Sequence, residues 1–319
     1  MPQTRTVSII GLGIMGRRML DNMLEHPGFT VAAMWDPDAG AAAKARELAP
    51  DVPVAASARA AIEAAEALYV ACPPVPRAGY AIEAAGLGRG VFLEKPLGVD
   101  AKTSHDLVAA LEATGVPAAV NFTQAASPAL SEVTRAAAAG EMGDLKGVDI
   151  VVTYPAWPRA WQVEADWLRF RAEGGYTREV ISHFLFFSAR VVGPLRPVWS
   201  KPTYPADPAL CETHIQARLE TEAGVPVSVF GSVGGVQPDR QELTVTGGAL
   251  SYRVTDFYRL WSSRGDAFEE ALTYPGDPRR DALQHQLTEF ARCLAGEPHK
   301  LATPAEALAV QANIEAMLV

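Results

Sequence analysis

The chain is poor in cysteine: Cys72, Cys211 and Cys293 are the only three among 319 residues. An odd, widely spaced trio builds neither a disulfide framework nor the paired spacing of a zinc site, so a reducing, cytoplasmic setting without a structural metal is expected. Long apolar runs are missing too. The first, residues 7–10, runs straight into Gly11 and is too short for a signal-peptide core, and no later run approaches bilayer length. Neither a targeting segment nor a membrane partner is expected. Positive charge is also scarce. A formal charge of −9 offers no broad basic face to DNA, RNA or anionic lipid, so nucleic acid is not an expected partner. Internal repeats are absent, and the alanine-rich pieces at 39–45 and 136–139 read as helix surface.

What is present is apolar residue in globular proportion, 49% of the chain, spread over a length that one core seldom organises. Two domains follow: residues 1–122, and residues 123–319 with room for the last helix to pack back on the first domain. From residue 5 to about 122, apolar runs at 6–10, 29–35, 52–55, 67–71, 91–93 and 118–122 alternate with helix-forming stretches at 14–26, 39–48, 58–66, 77–85 and 101–114. That rhythm predicts a six-stranded series wound as a parallel, doubly wound α/β sheet. The last of these helices has a cap residue in Asp100 and an apolar stripe at Leu107, Val108 and Leu111. Beyond residue 125 come one helix, a strand at 148–154, a Trp/Arg/Pro-rich passage, another helix, and then strands at 214–220, 225–233, 242–246 and 249–254 separated by glycine-containing turns. A large, mostly antiparallel sheet is expected there, closed by helices at 281–294 and 304–317.

Gly11-Leu12-Gly13-Ile14-Met15-Gly16 follows the first strand and opens the first helix. In that context the glycines permit a tight turn, close approach of a pyrophosphate to bare backbone, and close helix packing, so a dinucleotide is the expected ligand. Net negative charge does not oppose this, because a helix N-terminus supplies local positive potential. Asp36, twenty residues beyond Gly16, suits the adenosine ribose hydroxyls and would repel a 2′-phosphate, favouring NAD over NADP. Arg17 and Arg18 keep NADP open, and Asp36 also fits a plain turn before Pro37. Cys72-Pro73-Pro74 and Glu94-Lys95-Pro96 end two further strands at the carboxyl edge, where such sheets place ligands. Lys95 is either a proton-handling ammonium there or half of a surface ion pair with Glu94.

Taken in order, the glycine turn, Asp36, Cys72-Pro73-Pro74 and Glu94-Lys95-Pro96 resemble the glucose-fructose oxidoreductase/inositol dehydrogenase/rhizopine catabolism (Gfo/Idh/MocA) family. The resemblance continues through Trp167 to Arg169, Gly174-Gly175, Glu179 and His183, and Thr303-Pro304-Ala305-Glu306. It implies a Rossmann domain followed by an α/β domain with an open sheet, and NAD(P)-dependent chemistry on sugars, inositols or related carbonyls. It also implies Lys95 and His183 as the catalytic pair, assisted by Glu179. The cofactor would meet Gly11, Gly13, Ile14, Met15, Gly16, Asp36, Cys72, Pro73, Pro74, Glu94, Lys95 and Asn121. The substrate would meet Lys95, Trp161, Trp167, Arg169, Tyr176, Glu179 and His183.

On physical grounds Glu179 and His183, four apart, share a helix face, so the carboxylate could orient the imidazole. Phe184 to Phe187 leave a buried core histidine as the other reading. The chain departs from the family pattern: Glu179 stands for the usual Asp, Phe186 for a further carboxylate, and Arg77 for the His after the Pro-Pro turn, while residues 121–124 lack an arginine. Hydroxyl-binding capacity therefore looks reduced. Trp157, Trp161 and Trp167 with Arg159, Arg169 and Arg171 supply flat faces and anion-pairing groups, for a ring or a less polar acid or imine, or simply for packing. A sugar-like or cyclic alcohol or ketone is the preferred small-molecule substrate. An imine or keto-acid reductase and a noncatalytic dinucleotide-sensing regulator are the competing functions. An open second sheet would favour a homodimer or homotetramer built through it.

Overall fold

The computed structural model describes residues 4–319, which divide into two compact units. The first runs to Phe122 and takes in Leu283–Leu308; the second comprises Thr123–Ala282 and Ala309–Val319.

In the first unit, strands and helices alternate as β1 Arg5–Ile10, α1 Ile14–Glu25, β2 Phe29–Trp35, α2 Ala39–Leu48, α3 Ala58–Glu63, β3 Ala67–Val70, α4 Pro74–Gly86, β4 Gly90–Glu94, α5 Ala101–Thr114 and β5 Ala118–Asn121. The sheet is parallel in the order β2-β1-β3-β4-β5. It has five strands, not six. The apolar run at 52–55 makes a single bridge from Val54 to Met34, because Pro53 has a carbonyl to offer Met34 but no N–H to carry a ladder onward. The Cys-Pro-Pro and Glu-Lys-Pro segments thus end the third and fourth strands. Asp100 caps α5 as expected, accepting from the Thr103 N–H at 2.7 Å. The alanine helices are not merely surface. Ala42, Ala45 and Ala136 are buried, since small side chains let a helix lie close on what it covers.

The sheet's core is closed by the returning segment: Phe290 stacks on Phe92 and Phe29, with ring centres 4.8 and 5.7 Å apart, and Leu283, Leu287, Cys293 and Leu301 join the same cluster.

The second unit contains α6 Pro128–Ala138, β6 Leu145–Tyr154, short turns at Ala160–Gln162 and Asp166–Arg169, a π turn at Thr177–Ile181 leading into α7 Ser182–Val192, and seven further strands. These are β7 Leu195–Thr203, β8 His214–Thr221, β9 Pro226–Val233, β10 Arg240–Gly247, β11 Ser251–Thr255, β12 Arg259–Ser263 and β13 Glu269–Glu270. Two helices follow, α8 Pro278–Leu294 and α9 Pro304–Met317. The eight strands lie in the order β13-β12-β11-β10-β6-β9-β8-β7, antiparallel except for β6 beside β9. Three strands, β7, β12 and β13, carry no strong pattern in the sequence. Pro197 and Pro202 disguise β7, and they are tolerated because it is an edge strand.

Candidate functional site

At the β1–α1 junction Gly11 adopts φ +92°, a conformation that L side chains avoid, and a Cβ there would lie 2.5 Å from the Cys72 nitrogen. A Cβ on Gly16 would lie 1.8 Å from the Gly11 carbonyl oxygen, so helix and turn are in backbone contact. Gly13 differs. Nothing stands within 4 Å of where its Cβ would be, and no side chain caps the helix it begins. Uncapped first-turn amides beside open space are what a pyrophosphate needs. Ile14 and Met15 follow in that first turn, and Arg17 Nη1 donates to the Leu12 carbonyl at 2.8 Å, bracing the turn. Asp36 Oδ2 accepts from the Leu12 N–H at 2.6 Å, and its Oδ1 accepts from the Asp38 N–H at 2.8 Å. The carboxylate is therefore fixed at the end of β2 beside the glycine turn.

Along the same sheet edge, Glu94 Oε1 accepts from the Tyr69 hydroxyl and from Asn121 Nδ2, the latter at 2.7 Å, joining the ends of β3, β4 and β5. Burial, then the adjacent Glu94 charge, pushes the Tyr69 phenol well above its usual range. The Tyr69 hydroxyl therefore stays a donor. Asn121, expected beside the cofactor, donates from Nδ2 to Glu94 while its Oδ1 is buried without a hydrogen-bond partner. Lys95 is 8% exposed and its backbone N–H meets Glu94 Oε2 at 3.3 Å, so the surface ion-pair reading fails on burial alone. Arg77, in the first turn of α4, is buried as well. Its guanidinium donates to the carbonyls of Cys72, at 2.6 Å, and Pro96. It thereby clamps the two loops that the sequence places at the cofactor. Its sequence signal is ambiguous, because an arginine in a helix normally reads as surface.

In the second unit, Gly174 and Gly175 make the turn before Glu179 and His183. Gly175 has φ +103°, and a Cβ there would strike Glu212 Oε2 at 2.6 Å. Glu212 Oε1 accepts from the Thr177 N–H at 2.8 Å, fixing the start of the π turn, and burial raises its carboxyl above the ordinary range. Nothing in its local sequence announces this, since its partner lies 35 residues away. The spacing of Glu179 and His183 therefore falls across a π turn rather than on a regular α-helical face. Glu179 accepts from Gln162 Nε2 at 3.4 Å; His183 is buried, its ring edge-on to Phe257 at 5.6 Å.

The aromatic passage separates into parts. Tyr176 is wholly buried, packed against Trp157 and over Gly231. Trp157 donates its indole N–H to the Leu168 carbonyl at 2.9 Å. Trp167 is half-buried, and Arg169 is paired to Asp166 at 3.1 Å. Trp161 remains 41% exposed. Among the described residues no three metal-binding side chains cluster, and no helix is long and apolar enough to cross a membrane.

Residues 5–122 match the model of a family described as an oxidoreductase family with an NAD-binding Rossmann fold, GFO_IDH_MocA. No curated protein matches the chain. Solved structures superpose on almost all of it. The WlbA dehydrogenase from Bordetella pertussis, in complex with NADH and UDP-GlcNAcA, is 21% identical with a TM-score of 0.82, covering 99% of this chain and 95% of its own. KijD10, a 3-ketoreductase from Actinomadura kijaniata in complex with NADP and TDP-benzene, is 20% identical with a TM-score of 0.82, covering 98% and 97%. UDP-N-acetylglucosamine 3-dehydrogenase GnnA from Acidithiobacillus ferrooxidans is 16% identical with a TM-score of 0.80, covering 99% and 97%. At these identities the likeness is one of fold.

Proposed function

We propose that this chain, whose residues 5–122 match the Gfo/Idh/MocA oxidoreductase family with its NAD-binding Rossmann fold, is a dehydrogenase of that family that moves hydride between nicotinamide and a sugar-like or cyclic alcohol or ketone. The observation that carries this reading is Lys95, a buried lysine immediately after β4 on the sheet edge that also bears the uncapped glycine turn. The nicotinamide, when bound, supplies or accepts the hydride. Gly11, Gly13 and Gly16 with Ile14 and Met15 would hold its pyrophosphate, Asp36 its ribose, and the Cys72-Pro73-Pro74 turn, Glu94 and Asn121 the neighbouring edge.

In this reading Lys95 hydrogen-bonds the substrate oxygen and stabilises charge developing there, while His183 takes or gives the hydroxyl proton. A placed acid–base group of this kind is worth roughly 10²–10⁴ in rate. Glu179 and Gln162 orient the substrate end of the second unit, with Trp161, Trp167 and Arg169 as its wall, and Tyr176, wholly buried, behind it rather than in contact with substrate. Two similar folds, the WlbA dehydrogenase in complex with NADH and UDP-GlcNAcA and the UDP-N-acetylglucosamine 3-dehydrogenase GnnA, support a ring-bearing substrate.

Two further features belong to the proposal. Three free, buried cysteines suit the reducing cytoplasm. Trp199 and Phe230, 52% and 40% exposed, border a hollow of about 330 Å³ on the outward face of the eight-stranded sheet, and we assign that face to self-association. Light scattering should therefore give a dimer or tetramer, and a monomer would overturn that assignment.

The test of the activity is a panel of sugars, inositols, keto acids and cyclic imines followed by nicotinamide absorbance. Lys95→Ala should abolish turnover while leaving NADH binding intact. Undiminished turnover in that variant would remove Lys95 from the chemistry.

A further inference from the structure

Arg159 sits at the start of the Ala160–Gln162 turn with its guanidinium carbon 4.9, 5.7 and 4.7 Å from the ring centres of Tyr154, Trp157 and Trp161. Its Nε donates to Gln162 Oε1 at 2.9 Å and its Nη1 to the Tyr154 hydroxyl at 3.3 Å. A second guanidinium, that of the exposed Arg279, lies 5.9 Å from the same Trp161 ring. Among the described residues no carboxylate lies within ion-pair distance of Arg159 or Arg279. Their neighbours differ: Arg169 has Asp166 at 3.1 Å and Arg178 has Glu315 at 2.7 Å.

In a chain of net charge −9, two cations near one indole without a carboxylate are an exception to the prevailing charge. Each raises the electrostatic cost of the other. The aromatic faces offset part of that cost. A guanidinium fork matches the two oxygens of a carboxylate or phosphate, whereas a neutral hydroxyl gains much less from it. The position is also informative. Gln162 joins Arg159 to Glu179 through its amide, accepting from the first and donating to the second. One side chain thus separates the unpaired cation from the acid that precedes His183.

We propose that Arg159 and Arg279, both within 6 Å of the Trp161 ring centre, form a subsite for an anionic group on the substrate, so that the substrate is a cyclic alcohol or ketone bearing a carboxylate or a phosphate. This rests on the reading that Glu179 and His183 mark the substrate end of the second unit. The acid binds as the anion, its oxygens accepting from the two guanidinium groups.

The experiment compares glucuronate and glucose 6-phosphate with glucose, and galacturonate with galactose, by calorimetric titration in the presence of saturating NAD and by turnover with NAD and NADP. The anions should bind about tenfold to a hundredfold more tightly than their neutral parents. Half-molar salt should narrow the gap. Arg279→Gln, at an exposed position, should erase part of it. Arg159→Gln should erase more, and Arg159→Lys should restore some. A tighter uronate identifies a carboxylate subsite, and a tighter glucose 6-phosphate a phosphate subsite. Equal binding of charged and neutral partners, no binding of either anion, or a preference that survives the Arg159→Gln/Arg279→Gln double variant would overturn the subsite. Anion binding without turnover of any panel compound would overturn the proposed activity and leave the subsite standing.

Discussion

Gly13→Ala separates folding from cofactor binding. Gly13 has φ −66° and ψ −162°, ordinary for alanine, and its new methyl would meet no atom within 4 Å. At a helix start, alanine is roughly 0.5–1 kcal/mol worse than glycine. It recovers roughly 0.4–1 kcal/mol by restricting the unfolded chain. The two nearly cancel, so the thermal midpoint should move by about 2 °C or less. Cofactor affinity should not escape. In the proposed site the methyl would occupy the space through which a pyrophosphate would reach the first-turn amides, and losing one hydrogen bond to a charged group costs about 1.5–3 kcal/mol. NADH fluorescence titration should show a dissociation constant raised about tenfold to a hundredfold. Gly16→Ala makes the opposite case. Its Cβ would begin 1.8 Å from the Gly11 oxygen, so the turn must open by more than an ångström, at about 1–3 kcal/mol or above. Its midpoint should fall by several degrees and binding should be lost with it. A folded Gly13→Ala protein that binds NADH like wild type would refute the placement of the pyrophosphate.

Asp36→Ala leaves the Leu12 N–H without the acceptor it now has at 2.6 Å, and it removes the charge that opposes a 2′-phosphate. The ratio of NADPH to NADH affinity should rise about tenfold, and an unchanged ratio would dismiss Asp36 from coenzyme choice. Glu212 has a folded carboxyl raised by burial, so its stabilising contribution is complete below the unfolded value and drains away as pH rises through the folded one. Glu212→Gln, which keeps an oxygen for the Thr177 N–H, should gain thermal midpoint on wild type between about pH 5 and about pH 8; parallel curves would contradict the shift. Burial pushes the Cys211 thiol up to about 12 and that of Cys293 to about 11, so thiolate is scarce near neutrality. Ellman's reagent should reach them far more slowly in native than in unfolded protein, and immediate release from three thiols of the folded chain would be the contrary result.

Much of the architecture is legible in the sequence because period and punctuation agree. The residues of α5 show it: Asp100 caps the start, Leu107, Val108 and Leu111 turn inward, and Gly115 ends the helix at φ +64°. Where the two signals conflict, reading fails. The run at 52–55 is apolar enough for a strand, yet Pro53 breaks the ladder, while β7 is a strand despite two prolines because it lies at an edge. The site divides similarly. Local motifs mark the glycine turn, Asp36, Lys95 and His183. Glu212 and Arg77 act through partners or backbone carbonyls that composition does not reveal. The tryptophans and arginines between 157 and 171 are conspicuous in the sequence. Which cations are neutralised is not: Asp166 silences Arg169 three residues away, and no such partner reaches Arg159.

The first unit is not contiguous in the chain. Phe92 and Phe29 emerge early during synthesis, but Phe290, which stacks on both, follows only after the whole of residues 123–282 has been made. A nascent sheet therefore waits with its aromatic face uncovered, and a fragment stopped at residue 122 would carry that apolar surface into water permanently. The dinucleotide half should consequently be insoluble when expressed by itself, and soluble once the segment from 283 to 308 is supplied by a short engineered linker.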